Sequence, residues 1–136
     1  MPYEVLSHTA DLKLRVWGRN PEELFSEALL AMMQILKSDL RFKNEDLRMR
    51  NIKIQSPDMT ALLVDFLNEA LTLAQTNHEI YTEVHFKKLT EAELDTELSG
   101  FPVEEFEEDI KAVTYHEAEV IKNKKGDYET NLVFDI

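Results

Sequence analysis

The sequence predicts an α+β fold, a single domain over residues 1–136 with two main helices among about seven strands in antiparallel or mixed sheets. Three observations predict it. Two stretches, each opened by a polar cap and a proline, place apolar side chains at helical spacing. Several shorter stretches alternate apolar and polar residues with the period of a half-buried strand. Strands and helices do not alternate regularly, and no internal repeat, low-complexity stretch or linker appears, which argues against a parallel βαβ sheet and against a second domain.

Taken in order, Tyr3–Leu6 reads as a short strand, and Leu12-Lys13-Leu14-Arg15-Val16 alternates apolar with basic residues as a strand with one buried face does. Asn20 then caps a helix, with Pro21 at its first position and Glu23 at its third. Leu24, Phe25, Ala28, Leu29, Met32, Met33 and Leu36 form its apolar stripe. Leu47–Gln55 reads as a strand with an expected bulge, because the alternation through Met49, Ile52 and Ile54 slips once. Ser56-Pro57-Asp58 opens a second helix that ends near Asn77 and carries Leu62, Leu63, Phe66, Leu67, Ala70, Leu71 and Ala74 on one face.

Alternation returns at Ile80–Leu89 and, more weakly, at Glu93–Gly100. Phe101–Asp109 is acidic and contains Pro102, so a loop or single helical turn is expected there, followed by a strand over Ala112–Ile121. Asn123–Asp127, with Gly126, has hairpin-turn composition and leads into a last strand at Tyr128–Phe134.

The chain has no cysteine, which excludes disulfides and thiolate metal sites and suits an intracellular, cytoplasmic protein. Its apolar runs are short and its start lacks the basic-then-apolar order of a signal peptide, so neither a membrane span nor export is expected. Twenty-seven acidic against fifteen basic residues give a formal charge of -12, which repels a phosphate backbone and disfavours direct nucleic-acid binding. The same charge suits a basic protein partner, divalent cations, or solubility alone.

With three glycines and no phosphate-binding or nucleophile-elbow motif, nucleotide and covalent chemistry lack support. The four histidines are scattered, so no zinc pattern is present. Oxygen ligands remain. Asp11, Asp135 and the carboxylate of Ile136 would form a hard-cation site if the first hairpin meets the last strand. Calcium takes about 6–8 oxygen ligands, so water or a partner would complete the shell. His8, three residues before Asp11, is placed to orient that carboxylate. The plainer reading makes Asp11 a turn residue and Asp135 a solvated strand end. Strand alternation over Lys111–His116 sets Lys111, Val113 and Tyr115 on one face and Ala112, Thr114 and His116 on the other. Met32 and Met33 read as core filler. The acidic run Glu104–Asp109 reads as a solvated loop or, more sharply, as a steering surface for a basic partner.

Together, His8-Thr9-Ala10-Asp11 with Gly18, Glu22-Glu23-Leu24-Phe25, Leu67-Asn68-Glu69, Lys111-Ala112-Val113-Thr114-Tyr115-His116 and Val133-Phe134-Asp135-Ile136 resemble the archease family. The resemblance spans the chain. It departs at Gly100-Phe101-Pro102, where relatives commonly carry Gly-Glu-Pro. It implies the archease fold and the role of a non-enzymatic accessory protein for an RtcB-type RNA ligase. That ligase uses GTP and manganese to join RNA ends bearing a 2',3'-cyclic phosphate or 3'-phosphate to a 5'-hydroxyl. The accessory protein promotes guanylylation of the ligase's histidine and repeated turnover in tRNA splicing and RNA repair, meeting RNA only through the ligase. The family's metal ligands fall on Asp11, Asp135 and Ile136, for calcium in the isolated protein or for manganese or magnesium. Lys111 and His116 fall on its other polar signature.

Two other classes are weighed beside it. A metal-dependent hydrolase would use Asp11, Asp135 and His116 to activate water. A general acidic binding or chaperone-like module would take basic clients without needing Asp11.

Overall fold

Among the described residues, eight strands and two helices follow one another as β1 (Tyr3–His8), β2 (Asp11–Gly18), α1 (Pro21–Leu36), β3 (Arg48–Gln55), α2 (Met59–Asn77), β4 (Glu79–Leu89), β5 (Glu93–Pro102), β6 (Ala112–Thr114), β7 (Ile121–Lys122) and β8 (Tyr128–Asp135). The structure is a computed structural model that describes residues 2–8, 11–40 and 46–136. Thr9 and Ala10, inside the first sequence word of the resemblance, lie outside the described residues. The α+β class is as the sequence predicts, with eight strands where about seven were expected, all paired antiparallel in two sheets.

One sheet runs β1-β2-β8-β6, with β7 also on β8; the other runs β3-β5-β4. In the first, Leu12, Leu14 and Val16 alternate inward and meet Phe134, Leu132 and Thr130 across the β2–β8 ladder. Asp11, Lys13, Arg15 and Trp17 therefore share the opposite face, beside Asp135, Val133, Asn131 and Glu129.

Helix α1 starts where its cap predicts, whereas α2 starts at Met59 with Asp58 as its cap, so Pro57 precedes the helix instead of opening it. Asn20 accepts a hydrogen bond from the Glu23 N–H at 2.8 Å, and Glu23 reaches back to the Arg19 N–H at 3.1 Å. Asp58 accepts from the Ala61 N–H at 2.8 Å. Helix α1 lies on β2 and β4 and α2 on β3 and β6, so the two stripes and both inner sheet faces close one apolar core. Phe25 and Phe66 meet between the helices with ring centroids 5.8 Å apart, and Met32 and Met33 are fully buried filler.

Three local expectations need correction. Strand β3 pairs with β5 in unbroken register, and the irregularities fall in β1 and β4 instead. The slipped alternation of β3 reflects its polar edge position, where only Ile52 is fully buried. Phe101 and Pro102 extend β5, pairing opposite Ile80 and Glu79.

The strand expected over Ala112–Ile121 breaks into β6 and β7. A turn intervenes, closed by the Ala118 N–H on the Tyr115 carbonyl at 3.1 Å, with Glu117 in the left-handed region at φ 61°. Helix α2 holds the broken segment: the Tyr115 hydroxyl donates to Asp65, and the Val120 N–H donates to Thr60 at 3.0 Å. These partners are remote in sequence, so local alternation carries no sign of them.

The acidic segment after β5 is fastened to the core rather than loose. The Glu107 N–H donates to the Leu36 carbonyl at 2.7 Å, satisfying an end of α1, and the Glu107 carboxylate accepts from Ser38. Phe106 stacks on His78, and Ile110 is fully buried with its carbonyl held by Gln75. Glu104, Glu105, Glu108 and Asp109 face solvent.

Candidate functional site

The first hairpin and the last strand meet, which is the condition the sequence left open. Asp11 and Asp135 are directly opposite in the β2–β8 ladder and project on the same outer face. Opposed cross-strand side chains have Cβ atoms about 4.5–5.5 Å apart, and like charges there destabilise the pair. Among the described residues neither carboxylate takes part in an ion pair or side-chain hydrogen bond. Asp11 is exposed, Asp135 and Ile136 are half-buried, and Ile136 packs against the core edge.

The main chain around Asp135 is fixed on both sides. Ala112 pairs opposite it from β6, and the Lys111 N–H donates to its carbonyl at 2.7 Å. Strand β6 is in turn held by Asn68 of α2, whose side-chain amide donates to the Val113 carbonyl and accepts from the Val113 N–H, both at 2.8 Å. Asn68 thus positions the Lys111–Thr114 segment against Asp135 through a two-point clamp. In the sequence, Asn68 stands within Leu67-Asn68-Glu69 with no role of its own. An amide inside an otherwise apolar helical stripe was the available signal, since a half-buried amide in that setting needs a partner.

The other expected polar residues are dispersed. His8 ends β1 with its backbone opposite Leu12 rather than Asp11. Lys111 is exposed and joins the site through its backbone. In β6, Val113 is buried, while Tyr115, expected on the same face, lies beyond the strand with its ring exposed. His116 is 76% exposed and turns to Glu117, its Nε2 lying 3.8 Å from Oε2. Among the described residues no three His, Asp or Glu side chains gather as a metal cluster, so the Asp11, Asp135 and His116 set of the hydrolase reading is not assembled.

Beyond Lys111 the surface falls into an open depression of about 720 Å³, walled by Glu104, Glu105, Glu108, Asp109 and the His78–Phe106 stack. Its acidic rim borders the carboxylate pair through Lys111. Anionic groups on either side of the exposed Lys111 are therefore available to a cationic surface. No helix among the described residues is long and apolar enough to cross a membrane.

Comparison with known proteins agrees with this architecture. The model of the Archease protein family (MTH1598/TM1083) matches residues 3–136. Protein archease of Methanosarcina barkeri is 32% identical over 142 residues, covering 98% of this chain and 95% of that protein. Protein archease of Thermococcus gammatolerans is 29% identical, covering 98% of each. The solution structure of Methanobacterium thermoautotrophicum protein 1598 superposes with a TM-score of 0.71 at 24% identity, over 99% of both chains. The crystal structure of a Thermotoga maritima archease, described as a possible chaperone, gives 0.68 at 19% identity, over 98% of this chain and 96% of that one. The fold is shared with both, and the chain belongs to the archease family.

Proposed function

We propose that this chain is a non-enzymatic protein cofactor of an RtcB-type RNA ligase in the cytoplasm. It promotes the ligase's GTP-dependent guanylylation and multiple turnover in tRNA splicing and RNA repair, touching RNA only through the ligase. The observation that carries the reading is the opposed pair Asp11 and Asp135, which has no counter-ion among the described residues, in a chain of this family.

Asp11, Asp135 and the carboxylate of Ile136 would hold a divalent ion, calcium in isolation and manganese or magnesium with the ligase. The donor set fits. All are hard oxygens, two of them are fixed opposite each other, and they are too few to fill a shell, which leaves positions for a partner's groups. When bound, such an ion supplies charge neutralisation and Lewis acidity. The chain's own residues position and orient. Asn68 and β6 hold the Asp135 backbone, and the acidic rim steers a cationic cleft toward these carboxylates. No general base on this chain is required.

The test is guanylylation of the same organism's ligase by GTP with and without a catalytic amount of this protein. We expect acceleration by the wild-type chain and its loss in Asp11→Asn and Asp135→Asn, with unchanged melting temperature. Full stimulation by both variants would remove the proposal. A broader chaperone-like role is the second reading, favoured by the description of the Thermotoga maritima relative as a possible chaperone. It predicts protection of unrelated basic clients by the Asp11→Asn variant as well as by the wild type.

A further inference from the structure

Lys13 follows Asp11 by one strand repeat on the same outer face of β2, and it is diagonal to Asp135 across the ladder. Neighbours of both kinds lie roughly 7 Å apart, within reach of a flexible four-carbon stem. The two opposed carboxylates would draw such an ammonium as their internal counter-ion. Its partner is instead Glu117, with Nζ 2.6 Å from Oε2.

Glu117 reaches Lys13 from the turn between β6 and β7, with its backbone left-handed at φ 61°. That conformation is unfavourable for a non-glycine residue and persists where surrounding contacts impose it. Here the imposing contacts are the Ala118 N–H on the Tyr115 carbonyl and the Tyr115 hydroxyl on Asp65. The ion pair itself does not repay that strain, because both side chains are partly exposed, at 27% and 40%, and solvent screens such pairs to little net stability. The arrangement has a consequence for the carboxylates nearby.

We infer that Glu117 is a positioning residue that holds the Lys13 ammonium off the Asp11–Asp135 pair, so that the pair keeps its charge for a divalent cation. Released, Lys13 is a built-in competitor for the same site. The inference rests on the metal-site reading above, which is tested separately below. It adds to that reading residues outside the ligand set that govern its occupancy.

The experiment is calorimetric titration of the full chain with manganese chloride and with calcium chloride. The variants are Glu117→Gln, Lys13→Met, the double variant and Asp11→Asn. Glu117→Gln is expected to weaken binding roughly tenfold as the ammonium moves onto the carboxylates. Lys13→Met should restore that loss in the Glu117→Gln background while changing the wild type by roughly twofold or less, a non-additivity that marks direct coupling. Glu117→Gly, which suits the left-handed backbone and removes the carboxylate, should match Glu117→Gln and guards against a folding artefact.

Equal effects of Lys13→Met in both backgrounds would show two independent distant charges and overturn the inference. So would unchanged affinity in Glu117→Gln. A wild type that binds neither ion, with Asp11→Asn no different, would overturn the site reading and this inference with it.

Discussion

At the scale of single residues, the chemistry of the site depends on side chains that are not candidate ligands. Asn68 makes two hydrogen bonds to one residue of β6, and removing it leaves a buried N–H unpaired. Asn68→Ala is expected to cost roughly 2–3 kcal/mol by urea unfolding and to weaken the proposed stimulation of the ligase. Unchanged stability would mean that β6 is held by its ladder alone. Asp11 and Asp135 behave in the opposite way. They face each other without a counter-ion among the described residues, so neutralising either should leave stability unchanged or raised by a few tenths of a kcal/mol. Thermal melts of Asp11→Asn check this directly. The identities of these residues were legible in the sequence as oxygen donors. Their opposition was not, because register across a ladder formed by residues far apart in sequence is set by packing of Leu12, Leu14 and Val16 against Leu132 and Phe134.

Among elements, the β3-β5-β4 sheet is built round a buried carboxylate that no sequence pattern announced. Glu79 is fully buried at the start of β4 and accepts two hydrogen bonds from Arg50 at 2.8 and 2.7 Å and one from the Tyr81 hydroxyl at 2.7 Å. The Arg50 guanidinium holds this carboxyl below the usual range, with help from Tyr81, although burial alone would raise it. A depressed folded-state value stabilises the fold above the unfolded carboxyl pKa of about 4.3. That stability is lost as pH falls through the lower folded-state value. Urea midpoints measured from pH 7 down to pH 3 should therefore fall in the wild type and fall less in Glu79→Gln. At pH 7 that variant should lose roughly 2 kcal/mol, less than for a fully buried pair because the Arg50 side chain is 33% exposed.

Gly100 in β5 is a second constraint on the same sheet. A Cβ there would fall on the Ile80 carbonyl and within 2.8 Å of the Tyr81 Cα, so Gly100→Ala must push β4 away and is expected to cost several kcal/mol. Circular dichroism melts of that variant check it. The helices were far more legible than these strands. Asn20 and Asp58 act within three residues of themselves, and the stripes behind them repeat locally. The break between β6 and β7 was hidden because Asp65 and Thr60, which hold it, lie far away in sequence.

For the molecule as a whole, charge is the property that reaches furthest. A formal -12 with its acidic rim beside the Asp11–Asp135 edge should speed encounter with a cationic cleft and slow it as salt screens the field. The screening length shrinks from about 10 Å at 0.1 M salt to about 3 Å at 1 M. Association of this chain with the proposed ligase partner, followed by stopped flow, should slow roughly tenfold or more between those salts while dissociation changes less. A salt-independent rate would place the contact on another, uncharged face. The charge sum was plain in the composition. The gathering of Glu104, Glu105, Glu108 and Asp109 around one depression was not, because it requires the segment after β5 to dock at the end of α1 through Glu107 and Ser38.

Strand β8 comes last in chain order yet lies inside its sheet, between β2 and β6. Until it inserts, β2 has only β1 for a neighbour, and the backbone of β6 has no ladder partner. Sheet closure thus waits on contacts of the longest sequence separation in the chain, which are the slowest kind to form. A nascent or truncated chain without β8 would present open strand edges to other chains. The insertion that sets Asp135 opposite Asp11 is also the step that removes those edges, so acquiring the candidate site and escaping aggregation are one folding event.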